Sequence, residues 1–267
     1  MLKTMAGRVL PLSAGAFMDS GYYAASAGLA AQMQALELVA HNLANLATAG
    51  YRGEQATFRS LLTGSGTVST NPLNFAINDY GVLGGSRLDM SPGSLVATGN
   101  PLDLGMGGSG FFTVRSGAQT LYTRNGSFHL TPTRQLVTAE GDAVLAEQGP
   151  ISVPVTLPEG KVAVSSDGTV SVDGTVVAKL RLAEFSPQTS LTAVGNSLYS
   201  APAGSALPAA DSTVHQAMLE NSNVSAAVSV IQLMTVQRNA EMLQRALGAF
   251  DNQLNQTAAQ DLPRVGA

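Results

Sequence analysis

Cysteine and tryptophan are absent from the 267-residue sequence, and aromatic residues make up only 5% of it. Without cysteine there is no thiolate nucleophile, no cysteine-ligated zinc and no disulfide, and such a chain carries no thiol to oxidise outside the cytoplasm. Charged residues are also few, at 12%, and the formal net charge is −4. Because phosphate contacts need concentrated Lys and Arg, this composition argues against nucleic acid as a partner.

Long apolar runs are missing as well. None reaches the roughly 18 residues that a membrane-spanning helix needs. Residues 1–17 place Lys3 and Arg8 before an apolar stretch and so imitate a secretory signal peptide, but the stretch is short and Pro11 interrupts it. We expect Met18 to be the true beginning and residues 1–17 to be an extension outside the functional chain, with a start at Met1 as the alternative.

Motifs for catalysis, cofactors and metals are not found either. Residues 105–110, GMGGSG, match G-x-G-x-x-G, but a dinucleotide motif must open a helix and this one precedes the strand-like FFTV. His41, His129 and His215 lie too far apart for a local metal site or catalytic triad, although folding could still assemble a site in space. The sequence therefore predicts no enzyme, no cofactor, no metal and no small-molecule substrate.

The chain does have a long amphipathic segment near its beginning. From Tyr22 to about Leu46, apolar residues recur every three or four positions beside a second stripe of small residues, and Gly50 suits a left-handed helix cap. Two usable faces on one helix predict neighbours on both sides. The first stripe is Tyr22, Ala25, Leu29, Leu36, Val39, Leu43 and Leu46, and the second is Ala24, Gly28, Ala31 and Ala35.

A second helix is predicted from about Ser225 to Gln256, with Ser222 or Asn223 as its N-cap. At about 1.5 Å per residue it would be about 48 Å long, which is more than a compact domain of this size covers. Its apolar residues keep the 3,4 spacing of a coiled-coil seam, so we expect it to pair with the first helix. The seam is Ala226, Leu233, Val236, Ala240, Leu243, Leu247, Phe250 and Leu254, with Ser229 as a polar exception.

Between Leu88 and Tyr199 the pattern changes to short strands separated by turn signals such as Asn125-Gly126 and Asp173-Gly174, which predicts an antiparallel all-β domain. Its core should contain Phe111, Phe112, Tyr122 and Phe128. The predicted fold class is α+β, with this domain inserted between two helices that pair as a coiled coil. The predicted domains are an extension (1–17), an N-terminal axial helix and loop (18–62), a variable linker (63–87), a β-rich outer domain (88–205) and a C-terminal axial helix (206–267).

Three blocks of this sequence resemble the flagellar basal-body rod and hook protein family. The first, residues 18–58, contains NLAN followed by Thr-x-Gly-Tyr, which is the most specific part of the resemblance. The others are TGNPLDLGMGGSGFFTV with LYTRNGSF (98–128) and LENSNVSAAVSVIQLMTVQRN (219–239). Within the family, the block GPISVPVTLPEGKVAVSSDGTVS and the length are most similar to proximal-rod members, with distal-rod or hook-type members as the alternative.

The resemblance implies a structural role. Such proteins are exported by the flagellar type III apparatus without a cleaved signal peptide and assemble in the periplasm as a helical tube. Their terminal helices form the axial layer and the β-domain faces outward. The implied partners are copies of the chain, other rod and hook subunits, and the export apparatus. Because free terminal helices would expose their sticky faces, we expect much of 18–60 and 214–258 to become ordered only on assembly.

Asn42 and Asn45 raise a separate question, since asparagine is a poor interior helix former and a buried amide needs partners. We expect these residues and Thr48 to bind neighbouring subunits, with capping of their own helix end as the alternative. A secreted β-rich adhesion module and a peptidoglycan hydrolase are rival functions that do not explain the two terminal seams. The predicted assembly residues are Asn42, Leu43, Asn45, Leu46, Thr48, Gly50, Asn221, Asn223, Leu233, Val236, Leu243, Leu247 and Phe250.

Overall fold

The structure is a computed structural model that describes residues 15–59, 82–154 and 162–261. Most of the predicted extension and residues 63–81 of the predicted linker lie outside the described residues. The described residues form a long helix near each end and many short strands between them. The predicted α+β class, with a large antiparallel β region between two helices, is therefore confirmed.

Helix α1 spans Gly15–Ala44 and helix α2 spans Ala226–Asp261. Beyond α1 the chain continues through turns to Gly50, whose φ of +66° is left-handed as predicted. The prediction that Gly50 caps the helix is wrong, because α1 ends at Ala44 and the N–H of Gly50 donates to Glu220 instead. Neither residue predicted to cap α2 does so. Ser222 accepts the N–H of Val224 ahead of the helix, and Asn223 uses its side chain elsewhere, as described below.

The strands are short, as expected for a chain rich in turn residues. They are β1 (Glu54–Arg59), β2 (Val82–Leu88), β3 (Leu95–Ala97), β4 (Leu104–Gly107), β5 (Phe111–Ser116), β6 (Gln119–Thr123), β7 (Phe128–Leu130), β8 (Leu136–Thr138), β9 (Ala143–Ala146), β10 (Gly149–Pro150), β11 (Val162–Val164), β12 (Thr169–Val172), β13 (Thr175–Lys179), β14 (Leu182–Glu184), β15 (Thr192–Gly195), β16 (Leu198–Ser200), β17 (Leu207–Pro208), β18 (Thr213–Gln216) and β19 (Met218–Glu220).

The largest sheet among the described residues has the strand path β15-β16-β6-β5-β9-β8-β7, with β10 on β9 and the β14–β17 pair on β5. Strands β11, β12 and β13 form a separate antiparallel sheet. Residues 207–220, placed by the sequence within the C-terminal helix segment, instead form β17, β18 and β19. Strand β18 pairs with β4 and β19 pairs with β3, so the chain returns to the start of the β region before α2 begins.

Glycine turns close the hairpins much as the sequence predicts. Gly117, Gly141 and Gly168 have positive φ, and Asp173 and Gly174 both lie in the left-handed region that a two-residue hairpin turn needs. Asn125-Gly126 is different, because Gly126 is required for space. A Cβ on Gly126 would lie 1.7 Å from the carbonyl oxygen of Leu104.

The core of the β region is apolar and contains the predicted aromatic residues. Phe111, Phe112 and Phe128 are buried, and Tyr122 is half-buried against the ring of Phe185. The rings meet edge to face, with centroids 5.2 Å apart for Phe112 and Phe128, which is a favourable aromatic geometry. The aromatic part of the prediction is confirmed.

The chain divides into two compact units. The β unit is Leu38–Gln55 and Ser86–Ile231, and the helical unit is Met1–Glu37, Ala56–Gly85 and Gln232–Ala267. The boundary runs through both helices, so the last residues of α1 and the first residues of α2 belong to the β unit. Within the described part of the chain, no helix is long and apolar enough to cross a membrane.

In the helical unit, the buried positions of α1 are small wherever the structure describes the side chain. Ala25, Gly28, Ala31 and Ala35 are buried, and they draw on both predicted stripes. On α2, the covered positions follow the predicted seam. Leu243 is buried, and Leu233, Val236, Leu247 and Phe250 are half-buried.

Candidate functional site: the polar junction

The three most deeply buried charged residues described in the β unit, Arg52, Arg124 and Glu220, lie where the end of α1, the beginning of α2 and the β strands meet. We call this site the polar junction. Every residue of it lies in the β unit. The junction consists of Asn42 and residues 50–54, residues 89–93, Arg124, Tyr199 and residues 220–223.

Gly50 brings the segment after α1 into direct contact with two other parts of the chain. Its N–H donates to the carbonyl oxygen of Glu220 at 2.7 Å. A Cβ at this position would lie 2.2 Å from the backbone nitrogen of Asn125 and 2.3 Å from the carbonyl carbon of Arg124. Glycine is therefore required twice, for the positive φ and for the close approach of two backbones.

A buried ionic cluster lies beside Gly50. The Glu220 carboxylate bridges two arginines, with Oε1 2.8 Å from Nη2 of Arg52 and Oε2 3.1 Å from Nη1 of Arg124. All three residues are 1% exposed. Oε1 also accepts the backbone N–H of Gly93 at 2.7 Å. One carboxylate thus holds three groups from three separate stretches of the chain.

The ionic cluster carries two cations and one anion. Backbone carbonyls offset part of the imbalance, since Arg52 donates to the oxygen of Ser91 at 2.5 Å and Arg124 to that of Gly108 at 2.8 Å. The Arg124 guanidinium also lies 4.8 Å from the ring centroid of Phe111, close enough for a cation–π contact. Burial, and then the nearby Arg52, lower the pKa of Arg124 to about 10. The Nε atoms of both arginines have no hydrogen-bond partner among the described residues.

Tyr51 and Tyr199 contribute buried hydroxyl groups to the junction. The hydroxyl of Tyr199 accepts the backbone N–H of Arg52 at 3.0 Å, and that of Tyr51 donates to Oδ1 of Asn42 at 2.9 Å. Burial raises the pKa of Tyr199 to about 12. Burial, and then the nearby Glu54, raise the pKa of Tyr51 well above its ordinary value. Both phenols are therefore protonated at neutral pH.

The amide of Asn42 finds its partners inside the subunit. Its Nδ2 donates to the carbonyl oxygen of Glu54 at 2.7 Å, and its Oδ1 accepts the N–H of Glu54 at 2.9 Å. With the hydroxyl of Tyr51 as a third partner, the side chain acts as a small piece of β ladder that folds the chain back onto the end of α1. Asn42 is 7% exposed. An intersubunit role for Asn42 stays a prediction.

Asn45 and Thr48 bond locally, in the manner of the capping alternative. Nδ2 of Asn45 donates to the carbonyl oxygen of His41 at 3.0 Å, and the hydroxyl of Thr48 donates to Oδ1 of Asn45 at 3.1 Å. Both residues are half-buried. Leu43 and Leu46 are half-buried too, and their predicted contacts with other subunits stay predictions.

Asn223 fastens the chain ahead of α2 to two other stretches. Its Oδ1 accepts the N–H of Gly53 at 2.8 Å, and its Nδ2 donates to the carbonyl oxygens of Asp89 and Ser91 at 2.9 and 3.0 Å. Asn221 contributes mainly through its backbone. Its N–H donates to the oxygen of Ser94 at 2.9 Å, and its carbonyl oxygen would lie 2.0 Å from a Cβ on Gly93.

Asp89 completes the junction near its edge. Its carboxylate accepts the N–H and the hydroxyl of Ser91 at 2.9 and 2.6 Å, and the amide of Gln55 at 3.1 Å. Burial acts to raise the pKa of this carboxyl, but the bonds from Ser91 and the nearby Arg52 outweigh it and hold the pKa below its usual range. Asp89 therefore adds negative charge near the ionic cluster.

Arg52 and Glu220 are not among the residues predicted from the sequence, and the burial of Arg124 is not predicted either. Their positions are 72 and 96 residues apart (124 minus 52 and 220 minus 124), so no local spacing connects them. One available signal was position, because Arg52 follows Gly50 and Glu220 precedes Asn221, within two of the blocks that carry the family resemblance. The other signal was the rarity of charged residues. They make up only 12% of the chain, so a charged residue inside such a block stands out.

The contacts of the junction are those of a structural site that fixes parts of the chain to one another. Its polar side chains point to other protein groups, and no cluster of His, Cys, Asp or Glu within the described residues could hold a metal ion. The predicted seam residues of α2 lie outside the junction, since Leu233 and Val236 already belong to the helical unit.

Comparisons with known proteins identify relatives of this chain. Residues 106–172, in the β unit, match the family described as the flagellar hook protein FlgE/F/G D1 domain. The chain is 32% identical to the flagellar basal-body rod protein FlgF of Caulobacter vibrioides over 262 residues, which cover 93% of this chain and 100% of the relative. It is 30% identical to FlgG of the same organism over 255 residues, 88% and 96% of the two chains. FlgF of Mesorhizobium japonicum is 30% identical over 226 residues, 84% and 89%.

The match in the β unit defines a protein of the flagellar hook and rod class. The nearly full-length relatives narrow that class, and the chain belongs to the flagellar basal-body rod protein family. The resemblance expected from the sequence is therefore confirmed, and with it the structural character of the protein.

Proposed function

We propose that this chain is a rod subunit that polymerises in the periplasm into a hollow helical shaft. Its terminal helices pair as a coiled coil in the axial layer, and the β unit faces outward. A contact that joins unlike surfaces and does not close on itself generates such a helical assembly. Membership of the rod protein family supports the location and the structural role.

One observation carries the proposal. The helices leave several large apolar side chains exposed to solvent, with Met33 48%, Ile231 64%, Met234 61% and Met242 55% exposed. A soluble monomer gains nothing from such residues in a row along a helix, whereas a subunit that packs against neighbours needs them. The exposed face of α1 at Met33 and that of α2 at Met234 and Met242 offer the two different surfaces that such a polymer requires.

The burial pattern along the helices also supports the coiled coil. The covered positions of α2 keep the 3,4 spacing of a seam, and the buried residues of α1 are small enough for another backbone to approach closely. In the shaft, the proposed intersubunit contacts involve Leu43, Leu46, Leu233, Val236, Leu243, Leu247 and Phe250. Asn42, Asn45, Thr48, Gly50, Asn221 and Asn223 shape the helix ends that present them.

The proposed route to the shaft is export through the flagellar type III apparatus, with other rod and hook subunits as neighbours. We assign the chain to the proximal part of the rod on the similarity of its central block to proximal members. Relatives named FlgF and FlgG are about equally similar to it, at 32% and 30% identity in one organism, so a distal position is the alternative.

The test is a pair of variants in the cell. Replacing Met234 and Met242 with Gln should leave secretion intact and yield incomplete basal bodies and non-motile cells. A matched control replaces two exposed polar residues of the same helix, Gln237 and Gln244, with Ala and should swim normally. Complete rods in the methionine variant would refute the proposal. Replacing Asn42 and Asn45 with Ala should likewise impair assembly far more than secretion.

Imaging of purified basal bodies with this subunit labelled would place it along the rod. Mass spectrometry of the subunit recovered from them would give its N-terminal residue, which distinguishes a start at Met1 from one at Met18. Binding of the isolated protein to glycan, without any defect in the basal body of a deletion strain, would favour the adhesion alternative.

A further inference from the structure

We propose that Glu220 is a latch that makes the two ends of the chain dock onto the β unit together. The latch is a property of the single subunit, and only its consequence for assembly rests on the proposed rod function. It follows from the number of separate stretches that one buried residue holds.

Glu220 contacts the segment after α1 in two ways. Its backbone oxygen accepts the N–H of Gly50 at 2.7 Å, and its carboxylate lies 2.8 Å from the guanidinium of Arg52. The same carboxylate holds Gly93 in the loop before β3 and Arg124 after β6. The N-terminal segment therefore cannot dock in its observed position unless Glu220 is already in place.

The charges make this dependence mutual. Without Glu220, the junction would bury two guanidinium groups beside each other with only carbonyl oxygens as acceptors. Without Arg52 and Arg124, it would bury an uncompensated carboxylate. Removing one partner from a buried ionic cluster is strongly destabilising because the remaining charge is left without water. Partial docking is consequently disfavoured, and the groups order as one set.

The residues of the latch are equally far along the sequence from the two helices. Gly50 follows the end of α1 at Ala44 by six residues, and Glu220 precedes the start of α2 at Ala226 by six residues. Asn223 adds a second tie across the same gap through the N–H of Gly53. The helix ends in the β unit, residues 38–44 and 226–231, are therefore fixed or released by one event. In a polymerising subunit, this coupling would prevent one helix end from being ordered for contact with a neighbouring subunit while the other is not.

Backbone amides that donate into the junction report on the latch. Gly50 donates to the Glu220 carbonyl, Gly93 to its carboxylate, Gly53 to Asn223 and Glu54 to Asn42. Native-state hydrogen exchange by NMR on the full chain measures the opening of each. If the latch operates, these four amides exchange with closely similar protection factors, below those of the β-core amides that open only on global unfolding.

The Glu220→Gln variant then tests the cause. It should lower the protection factors of all four amides by one common factor of about 100-fold or more, so that they remain closely similar to one another. The control is Glu241→Gln, which removes one partner of an exposed pair with Arg245 on α2 and should change none of them. Separate protection factors for Gly50 and Gly93 in the unaltered chain would overturn the latch, even if the variant failed to fold.

The two proposals fail separately. Independent exchange of the junction amides in a protein that still builds rods would refute the latch alone. Uniform exchange of those amides in a protein that plays no part in basal bodies would uphold the latch and refute the rod function.

Discussion

The β unit and the helical unit bury different kinds of side chain. In the β unit, large residues such as Phe112, Val114 and Val144 are 0% exposed. In the helical unit, the buried residues of α1 are alanines and a glycine, whereas Met33, Met234 and Met242 are about half exposed. Burying a large apolar side chain stabilises a fold by about 1.5–3 kcal/mol. The β unit gains this free energy within the single subunit, whereas the exposed methionines of the helical unit would gain it only by packing against another surface.

The difference indicates a division of labour. The β unit and its polar junction give each subunit a fixed frame, while the helical faces keep their apolar surface available to neighbours. Polar and ionic contacts suit the frame because they require one geometry, whereas methionine suits a contact surface because its flexible side chain adapts to irregular partners. A substitution in one unit should therefore affect that unit and spare the other.

The largest effect on stability is expected from Glu220→Gln. Because it leaves two buried guanidinium groups without their anion, it should cost about 3–5 kcal/mol in the free energy of unfolding. Arg124→Met should cost clearly less, since it leaves a neutral pair of Arg52 and Glu220. Urea unfolding of the purified subunit measures both, and equal costs would contradict the assignment of Glu220 as the centre of the cluster.

Gly50→Ala should follow, at about 2–4 kcal/mol, because it combines backbone strain at positive φ with a collision against Asn125. Gly117→Ala is the matched control. Gly117 also has positive φ, at +59°, but nothing lies within 4 Å of its Cβ position. Thermal unfolding should show the larger loss at Gly50, and similar losses at both sites would mean that close packing at the junction is unimportant.

Alkaline pH should destabilise the β unit through Tyr199. Its pKa of about 12 in the folded chain lies above the ordinary value of 10, so the unfolded chain loses this proton first as pH rises. Stability that is complete below pH 10 is therefore lost between about pH 10 and 12, by about 2–3 kcal/mol. Tyr199→Phe should reduce this loss, and the part that remains belongs to Tyr51, whose raised pKa acts in the same direction. The difference between the profiles separates the tyrosine from Arg124, whose lowered pKa acts in the opposite direction.

Asn42→Ala should cost about 1–2 kcal/mol, since it orphans the N–H and carbonyl of Glu54 and the hydroxyl of Tyr51. Asn45→Ala removes only local bonds at a half-buried position and should cost less than half as much. Chemical denaturation of the two variants ranks them. The reverse ranking would show that the fold-back at Glu54 contributes little to the frame.

The smallest effect on the isolated subunit is expected from Met33→Gln in the helical unit. Because the side chain is already 48% exposed, the free energy of unfolding should change by no more than about 0.5 kcal/mol. Assembly into rods should nevertheless fall. A large loss of stability in the free subunit, measured by calorimetry, would indicate that Met33 already has its partner there.

Local patterns predicted much of the fold. Turn glycines such as Gly141 and Gly168, the aromatic core and the left-handed Gly50 all depend on residues near one another in sequence, so spacing alone reveals them. The apolar period likewise identified the covered face of α2. It did not identify the buried face of α1. Two stripes are present there, and the period does not show which of them packs against another part of the protein.

The junction could not be predicted in the same way. Arg52, Arg124 and Glu220 come together only through the pairing of β19 with β3 and the return of the chain before α2, and sequence reasoning places lone charged residues at the surface. Gly126 shows the same limit, because Asn-Gly is typical of a hairpin turn and here permits contact with the backbone of Leu104. Contacts between residues far apart in the sequence determine both the ionic cluster and the role of Gly126.

Hydrogen–deuterium exchange of the full chain, compared between the free subunit and purified rods, tests the central claim most directly. We predict strong protection of the β core and the polar junction in both states, and protection of residues 15–37 and 232–261 that rises sharply only in rods. Full protection of both helices in the free subunit, unchanged on assembly, would contradict the division between a finished frame and helices completed by their neighbours.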